Sequence, residues 1–127
     1  MSATLERKSL EKKSLDRPDE VRPFTDGKGK VAVFTLGDVT MGRAEFEPGW
    51  RWSEHVKPIA GTDSCQAAHT GLVFEGRMVV KMNDGTEMEY GPGDVFFMPP
   101  GHDAWVVGRE RCVLLDVTGV AKYAKPQ

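Results

Sequence analysis

Cysteine is scarce in this 127-residue chain, with only Cys65 and Cys112. Two thiols build no disulfide framework, and with no export signal to pair them a bridge is not expected. Excess charge is lacking too. Seventeen Lys+Arg against nineteen Asp+Glu leave −2, whereas a nucleic-acid binder needs a dense basic face to neutralise phosphates. No apolar run approaches the roughly 20 residues that span a bilayer. Met1 to Arg17 contain no apolar stretch of the secretory kind and interleave both charge signs, unlike a transit peptide, so a soluble cytoplasmic protein is expected. There is no Gly-x-Ser-x-Gly elbow, phosphate-binding loop or paired Cys-x-x-Cys site, which leaves esterase, nucleotide-dependent and zinc-ribbon chemistry without support.

Turn formers are abundant. Fourteen glycines and eight prolines disfavour a helix bundle and suit short strands joined by turns. The length allows one domain with a sizeable core. Residues 1–23 read as a charged N-terminal extension, in which five positive charges match five negative ones through Glu20. A near-repeat from Glu6 to Leu15 spaces Leu5, Leu10 and Leu15 by five, which traces no helical stripe. The extension is expected to be a solvated tail ended by Pro18 and Pro23.

From residue 24 to 127 the texture is that of an all-β domain. Val31–Leu36, Val39–Phe46, Leu72–Phe74, Met78–Met82, Thr86–Tyr90, Val95–Met98, Ala104–Val107 and Cys112–Val117 read as strands, about nine in all, separated by turn signals. In the Asn83-Asp84-Gly85-Thr86 hairpin signal, Asp-Gly accommodates the positive φ of a tight primed turn. Pro58 to Ala68 is the exception, an irregular stretch in mid-domain of the kind that is functional or mobile.

His55, His69 and His102, the three histidines, each sit beside a turn or strand end. Neutral imidazole is the commonest protein ligand for divalent first-row metals, and three ligands with an open position make a catalytic geometry. The competing reading of each is a hydrogen-bonded structural histidine.

The stretch from Pro48 to Trp105 resembles the cupin superfamily, small β-barrels of jelly-roll type with two short motifs. In the first motif Gly49 is followed after five residues by His55; Lys57 stands where the family has a second histidine, and His69, counted back from Gly76, stands where it has glutamate. In the second, Gly93, Pro99 and Gly101 match, Ala104 occupies the histidine position, and His102 lies two residues earlier. The string Pro48 to His55, with Gly61 to Gly71, looks like a subgroup of small single-domain bacterial cupins. The resemblance implies a cupin jelly-roll barrel, forming a homodimer as many relatives do. It also implies a divalent metal (Fe, Zn, Ni or Cu) held by His55, His69 and His102, a neutral ligand set.

Other side chains near the motifs carry open alternatives. Glu54 and Cys65 are candidates for a fourth ligand; Glu54 also reads as an exposed carboxylate and Cys65 as a small core residue. Lys57, facing inward, would neutralise an anionic substrate or serve as a catalytic base; otherwise its ammonium reaches solvent or pairs with Glu54 or Asp63. Trp50, Trp52 and Trp105 flank the histidines. Strand parity opposes Trp52 to His55 and turns it outward, towards a dimer interface. Asp103 reads either as an acceptor orienting a histidine or as a turn residue. The function expected is that of a metal-dependent, dioxygenase-like cupin acting on a small organic molecule, an anion in one reading. The alternative is a non-catalytic small-ligand-binding or sensing module.

Overall fold

A computed structural model of the protein describes residues 9–121 and 123–126. The first copy of the near-repeat begins at Glu6 and so lies partly outside the described residues. Among the described residues there are nine strands: β1 Glu20–Pro23, β2 Gly29–Leu36, β3 Val39–Phe46, β4 His69–Glu75, β5 Arg77–Met82, β6 Glu87–Tyr90, β7 Val95–Met98, β8 His102–Val107 and β9 Cys112–Asp116. They form two antiparallel sheets. One has six strands in the order β1-β2-β3-β9-β4-β7, the other three in the order β6-β5-β8. The non-sequential neighbours β3-β9-β4 and β5-β8 are the long-range crossings of a jelly roll.

Local chemistry accounts for most of these elements. β2 and β3 pair along their whole length about the Gly37-Asp38 turn, with Leu36 opposite Val39. Alternation then buries Val31, Val33, Ala44 and Phe46 on the inner face. Met78 and Val80 of β5 face the same interior from the smaller sheet. Gly76 joins β4 to β5 with φ +72°, and a Cβ there would stand 2.2 Å from the Arg111 carbonyl oxygen; both facts demand glycine. The Asn83–Gly85 connection is a hairpin, but not a two-residue primed turn. Gly85 N–H donates to the Met82 carbonyl and Met82 N–H to the Thr86 carbonyl. Positive φ falls on Gly85 and not on Asp84, so the loop has three residues with glycine at the left-handed position.

Two elements depart from the sequence expectation. Glu20–Pro23 is a strand, paired with β2 from Glu20↔Val33 to Pro23↔Lys30. Its Arg22 is buried and donates to the carbonyls of Val120 (2.5 Å) and Tyr123 (2.8 Å), tying the start of the sheet to the C-terminal segment. The stretch after Trp50 is not extended: it coils into two one-turn helices, α1 Trp52–His55 and α2 Lys57–Ala60. Pro58 in the first turn of α2 and Gly61 in the left-handed conformation at its end mark this in the sequence. The N-terminus of α1 takes its acceptor from another element, since Ser53 N–H donates to Asp103 Oδ1 at 3.0 Å. Asp103 is therefore a helix cap lent by β8 rather than an orienter of a histidine.

Between the sheets the core is aromatic at one end. Phe24 stacks on Phe46 with centroids 5.4 Å apart, and Trp50 packs on Phe46 at 4.4 Å. Tyr123, 6.0 Å from Phe24 and 5.1 Å from His69, joins this aromatic group to a set of buried polar side chains.

Candidate metal centre

The buried polar group is built by three elements. β4 begins at His69 and β8 at His102, and the irregular stretch before β4 carries Cys65. Cys65 is held against β8 by paired backbone bonds: its N–H donates to the His102 carbonyl at 2.8 Å, and Gly101 N–H donates to the Cys65 carbonyl at 2.7 Å. All three side chains are buried. One ligand atom from each lies within 4.8 Å of the others, and Cys65 Sγ is 3.6 Å from His69 Nε2.

Both imidazoles are oriented from behind. His69 Nδ1 lies 2.5 Å from Asp116 Oδ2, and His102 Nδ1 lies 2.7 Å from the Pro99 carbonyl oxygen. A carbonyl and an ionised carboxylate only accept, so each Nδ1 carries the proton and each Nε2 is the nitrogen left for the cluster. Asp116 is itself fixed, because its Oδ1 accepts from Thr118 N–H (3.0 Å) and Gly119 N–H (2.9 Å). Burial works against the Asp116 carboxylate, but the His69 bond and charge and the two amide donors hold its pKa below the usual value.

The cluster polarises its own members. Burial pushes the Cys65 thiol up, yet hydrogen bonding from His102 and His69 and their charge bring it down to about 6. Burial likewise pushes His69 down, while the Asp116 and Cys65 bonds and charges raise it to about 9. Both shifts favour a thiolate beside an imidazolium. Cys112, buried among apolar side chains, is pushed up to about 11 and stays a thiol.

The donor set fits a transition metal. Two imidazole nitrogens and one thiolate are ligands that zinc, iron, nickel and copper accept, and three protein ligands leave a position open. A tetrahedral ion with bonds of about 2.0–2.3 Å separates its ligand atoms by roughly 3.3–3.7 Å, close to the sulfur–nitrogen spacing found here.

Of the sequence candidates, His69 and His102 are brought together and His55 is not part of the group. His55 is buried, but it belongs to α1; its Nδ1 lies 3.0 Å from the Arg51 nitrogen and 3.2 Å from the Arg51 carbonyl oxygen, and the ring is outside the group formed by Cys65, His69 and His102. Lys57 stands at the surface, 44% exposed, with Nζ 3.6 Å from Asp63 Oδ1. Glu54 is exposed and pairs with Arg51. Trp52 turns inward instead of outward, 2% exposed, because helical rather than strand periodicity sets its direction. Trp105 stays at the outside, with the Arg51 guanidinium 4.4 Å above its ring.

Asp116 was not among the sequence candidates. Alternation along Cys112–Asp116 aligns it with Cys112 and Leu114 on the inner face, and a carboxylate at an inward position is the signal. Tyr123, whose ring meets that of His69 edge-on at 5.1 Å, also escaped notice.

The cluster opens on a cavity between the sheets lined by Trp50, Trp52, Met78, Met98, Ala104 and Tyr123, among others. Ala104, at the family's histidine position, and His102, one rung away on β8, both face it. Its free volume is about 30 Å³, enough for roughly two waters.

A two-sheet jelly roll with a cluster of ligand-type side chains at the strand ends is the cupin architecture, and the chain has the cupin fold. Residues 61–116, which include Cys65, His69, His102 and Asp116, match the EutQ-like cupin domain. No curated protein matches the chain significantly. Among solved structures, a structural-genomics protein of unknown function from Rhizobium leguminosarum bv. viciae is 22% identical, with 94% of this chain and 99% of that one aligned at a TM-score of 0.61. An uncharacterised conserved protein with a double-stranded β-helix domain from Klebsiella pneumoniae is also 22% identical, over 87% and 90% of the two chains, with a TM-score of 0.57. Iron(II) HppE aligns with 87% of this chain and 60% of its own at 8% identity, with a TM-score of 0.60.

Proposed function

We propose that this chain is a metal-dependent cupin in which Cys65, His69 and His102 hold one divalent ion and a small organic molecule is the substrate. The observation that carries the reading is the arrangement of the two imidazoles, each with Nδ1 tied back, with His69 Nε2 3.6 Å from the Cys65 sulfur and a ligand atom of His102 within 4.8 Å of both. Buried histidines that serve packing alone do not need a carboxylate behind them and a thiolate in front. Iron(II) in HppE supports the same use of the fold. A metal at this site would supply Lewis-acid polarisation of a substrate oxygen, or activation of dioxygen, at its open position.

The protein's own side chains have separate tasks. Cys65 brings negative charge to the centre, and Asp116 holds the His69 ring in register and balances its charge. Apolar walls from both sheets keep bulk water out, which strengthens every charge interaction inside. A dioxygenase-like reaction is the preferred class. The test is metal content of untagged protein. Near-stoichiometric Fe, Zn, Ni or Cu, lost in Cys65→Ser and His69→Ala and retained in His55→Ala, is expected; metal-free protein that no added ion stabilises would refute the reading.

The small cavity favours a second reading, a module that holds a ligand without turning it over. Iron(II)-loaded protein that takes up no dioxygen with any small carboxylate, while still binding one, would select it.

A further inference from the structure

Every residue that lines the cavity beside the cluster is buried, so a small molecule reaches it only when part of the wall moves. Most of the wall is sheet, in which ladder hydrogen bonds fasten neighbouring strands. Four lining residues stand outside the strands: Trp50 and Trp52 before β4, and Val120 and Tyr123 after β9.

These two parts of the wall are fastened differently. Trp50 is held by the main chain: Val106 N–H donates to its carbonyl at 3.0 Å, and Arg51 beside it bridges to Trp105 of β8. Among the described residues, no backbone-to-backbone hydrogen bond reaches residues 118–126. Side chains hold that segment instead. Thr118 Oγ1 accepts from Thr70 N–H at 2.9 Å, and Asp116 Oδ1 accepts from the Thr118 and Gly119 amides. Arg22 donates to the Val120 and Tyr123 carbonyls and is itself anchored by Glu20 at 2.8 Å. Local opening costs least where a segment has no hydrogen-bonded ladder.

The segment nevertheless fits a shaped seat. Val120 is fully buried over Gly42 of β3, where a Cβ would stand 2.2 Å from Val120 Cγ2. Gly119 lies against the start of β4; a Cβ on it would stand 2.2 Å from the Ala68 carbonyl oxygen and 2.4 Å from His69 Nδ1. Tyr123 sets its ring edge-on to that of His69.

We propose that residues 118–126 are a lid over the cavity, seated by Val120 and Tyr123 and latched by Arg22, whose opening admits small molecules to Cys65, His69 and His102. This rests on the functional reading above for what enters, and it adds the route. Gly42 and Gly119 define the closed position, since a side chain at either would hold the lid off its seat. The latch sets how often the centre is open, because Arg22 makes two charged hydrogen bonds that the open form lacks.

The test is alkylation of Cys65 by iodoacetamide in metal-free protein, in which the thiolate sulfur displaces iodide and mass spectrometry counts the modified peptide. Native protein is compared with Arg22→Leu and the milder Arg22→Gln, which weaken the latch. The control is Gly76→Ala, whose methyl group meets Arg111 and Cys112 and weakens the barrel as a whole. Either Arg22 variant is expected to speed Cys65 modification by about tenfold or more. Amide hydrogen exchange should quicken over residues 118–126 and stay unchanged over 50–60. Gly76→Ala should leave the Cys65 rate within about twofold of native, because closed and open-lid forms lose the same stability. Equal acceleration by Gly76→Ala and the Arg22 variants would overturn the proposal, since Cys65 would then be reached only by global unfolding. A Cys65 rate that ignores both Arg22 variants would overturn it too, as would faster exchange over 50–60 in place of 118–126. Failure of the protein to bind any metal would refute the functional reading alone, because these rates are measured without an ion.

Discussion

Replacing Asp116 by Asn removes the charge behind His69 while leaving a side chain of the same shape, and the effect is read at Cys65. In the metal-free native protein a thiol with a pKa of about 6 is about nine-tenths thiolate at pH 7; one at its ordinary value near 9 is about one-hundredth ionised. A hydrogen bond to a charged group contributes about 1.5–3 kcal/mol, equal to about one or two pH units. The His69 value should therefore fall by that much in Asp116→Asn, as the ring loses the carboxylate that keeps it protonated, and the Cys65 midpoint should move up as the imidazolium charge beside it weakens. Ultraviolet absorbance of the thiolate follows the titration, and Cys112, pushed to about 11, is silent below pH 9. Cys65→Ser should abolish the transition. A native midpoint near 9, or one that Asp116→Asn leaves in place, would refute the charge relay through His69. The same pair sets an expectation for stability. The depressed Cys65 value stabilises the fold above pH 9 and loses this as pH falls through 6; the raised His69 value stabilises it below 6.5 and loses this as pH rises through 9. Between 6.5 and 9 the slopes oppose one another. The pair's contribution to the unfolding free energy should be flat there, because it binds one proton in either state.

Zinc must displace the proton on His69 Nε2, so its apparent affinity should rise about tenfold per pH unit between 7 and 9, with about one proton released; calorimetry in buffers of different ionisation enthalpy measures this, and binding without proton release would contradict it. Arg22→Leu strips two buried carbonyls, those of Val120 and Tyr123, of a charged donor. It should cost about 3 kcal/mol and lower Tm by about 10 °C; an unchanged melting curve would show that the C-terminal segment is held otherwise. Gly76→Ala meets both a positive φ and the Arg111 carbonyl, and a loss of at least about 3 kcal/mol in urea unfolding is expected.

Much of the barrel was legible because its turns are chemical. Gly37-Asp38, Asp84-Gly85 and Gly91-Pro92-Gly93 punctuate the chain where strands end, and alternation then assigns faces. β1 was not, since Glu20-Val21-Arg22-Pro23 has no apolar pattern of its own. It becomes a strand through β2 and through carbonyls 98 and 101 residues away from Arg22. The site divides along the same line. His69 and His102 stand at strand starts that turn signals locate. Cys65 reaches them only because an irregular stretch is bridged to β8, a non-local contact that spacing does not encode. Parity failed at His55 and Trp52 because it presumed an extended chain where α1 forms.

Cobalt(II) binding bears most directly on the centre itself. Titrated into metal-free protein, the ion should saturate at one equivalent with intense sulfur-to-cobalt charge-transfer absorption. That absorption should vanish in Cys65→Ser, weaken in His69→Ala and His102→Ala, and survive in His55→Ala. Binding without a sulfur signature, or a spectrum that depends on His55 and not on Cys65, would contradict the cluster described here.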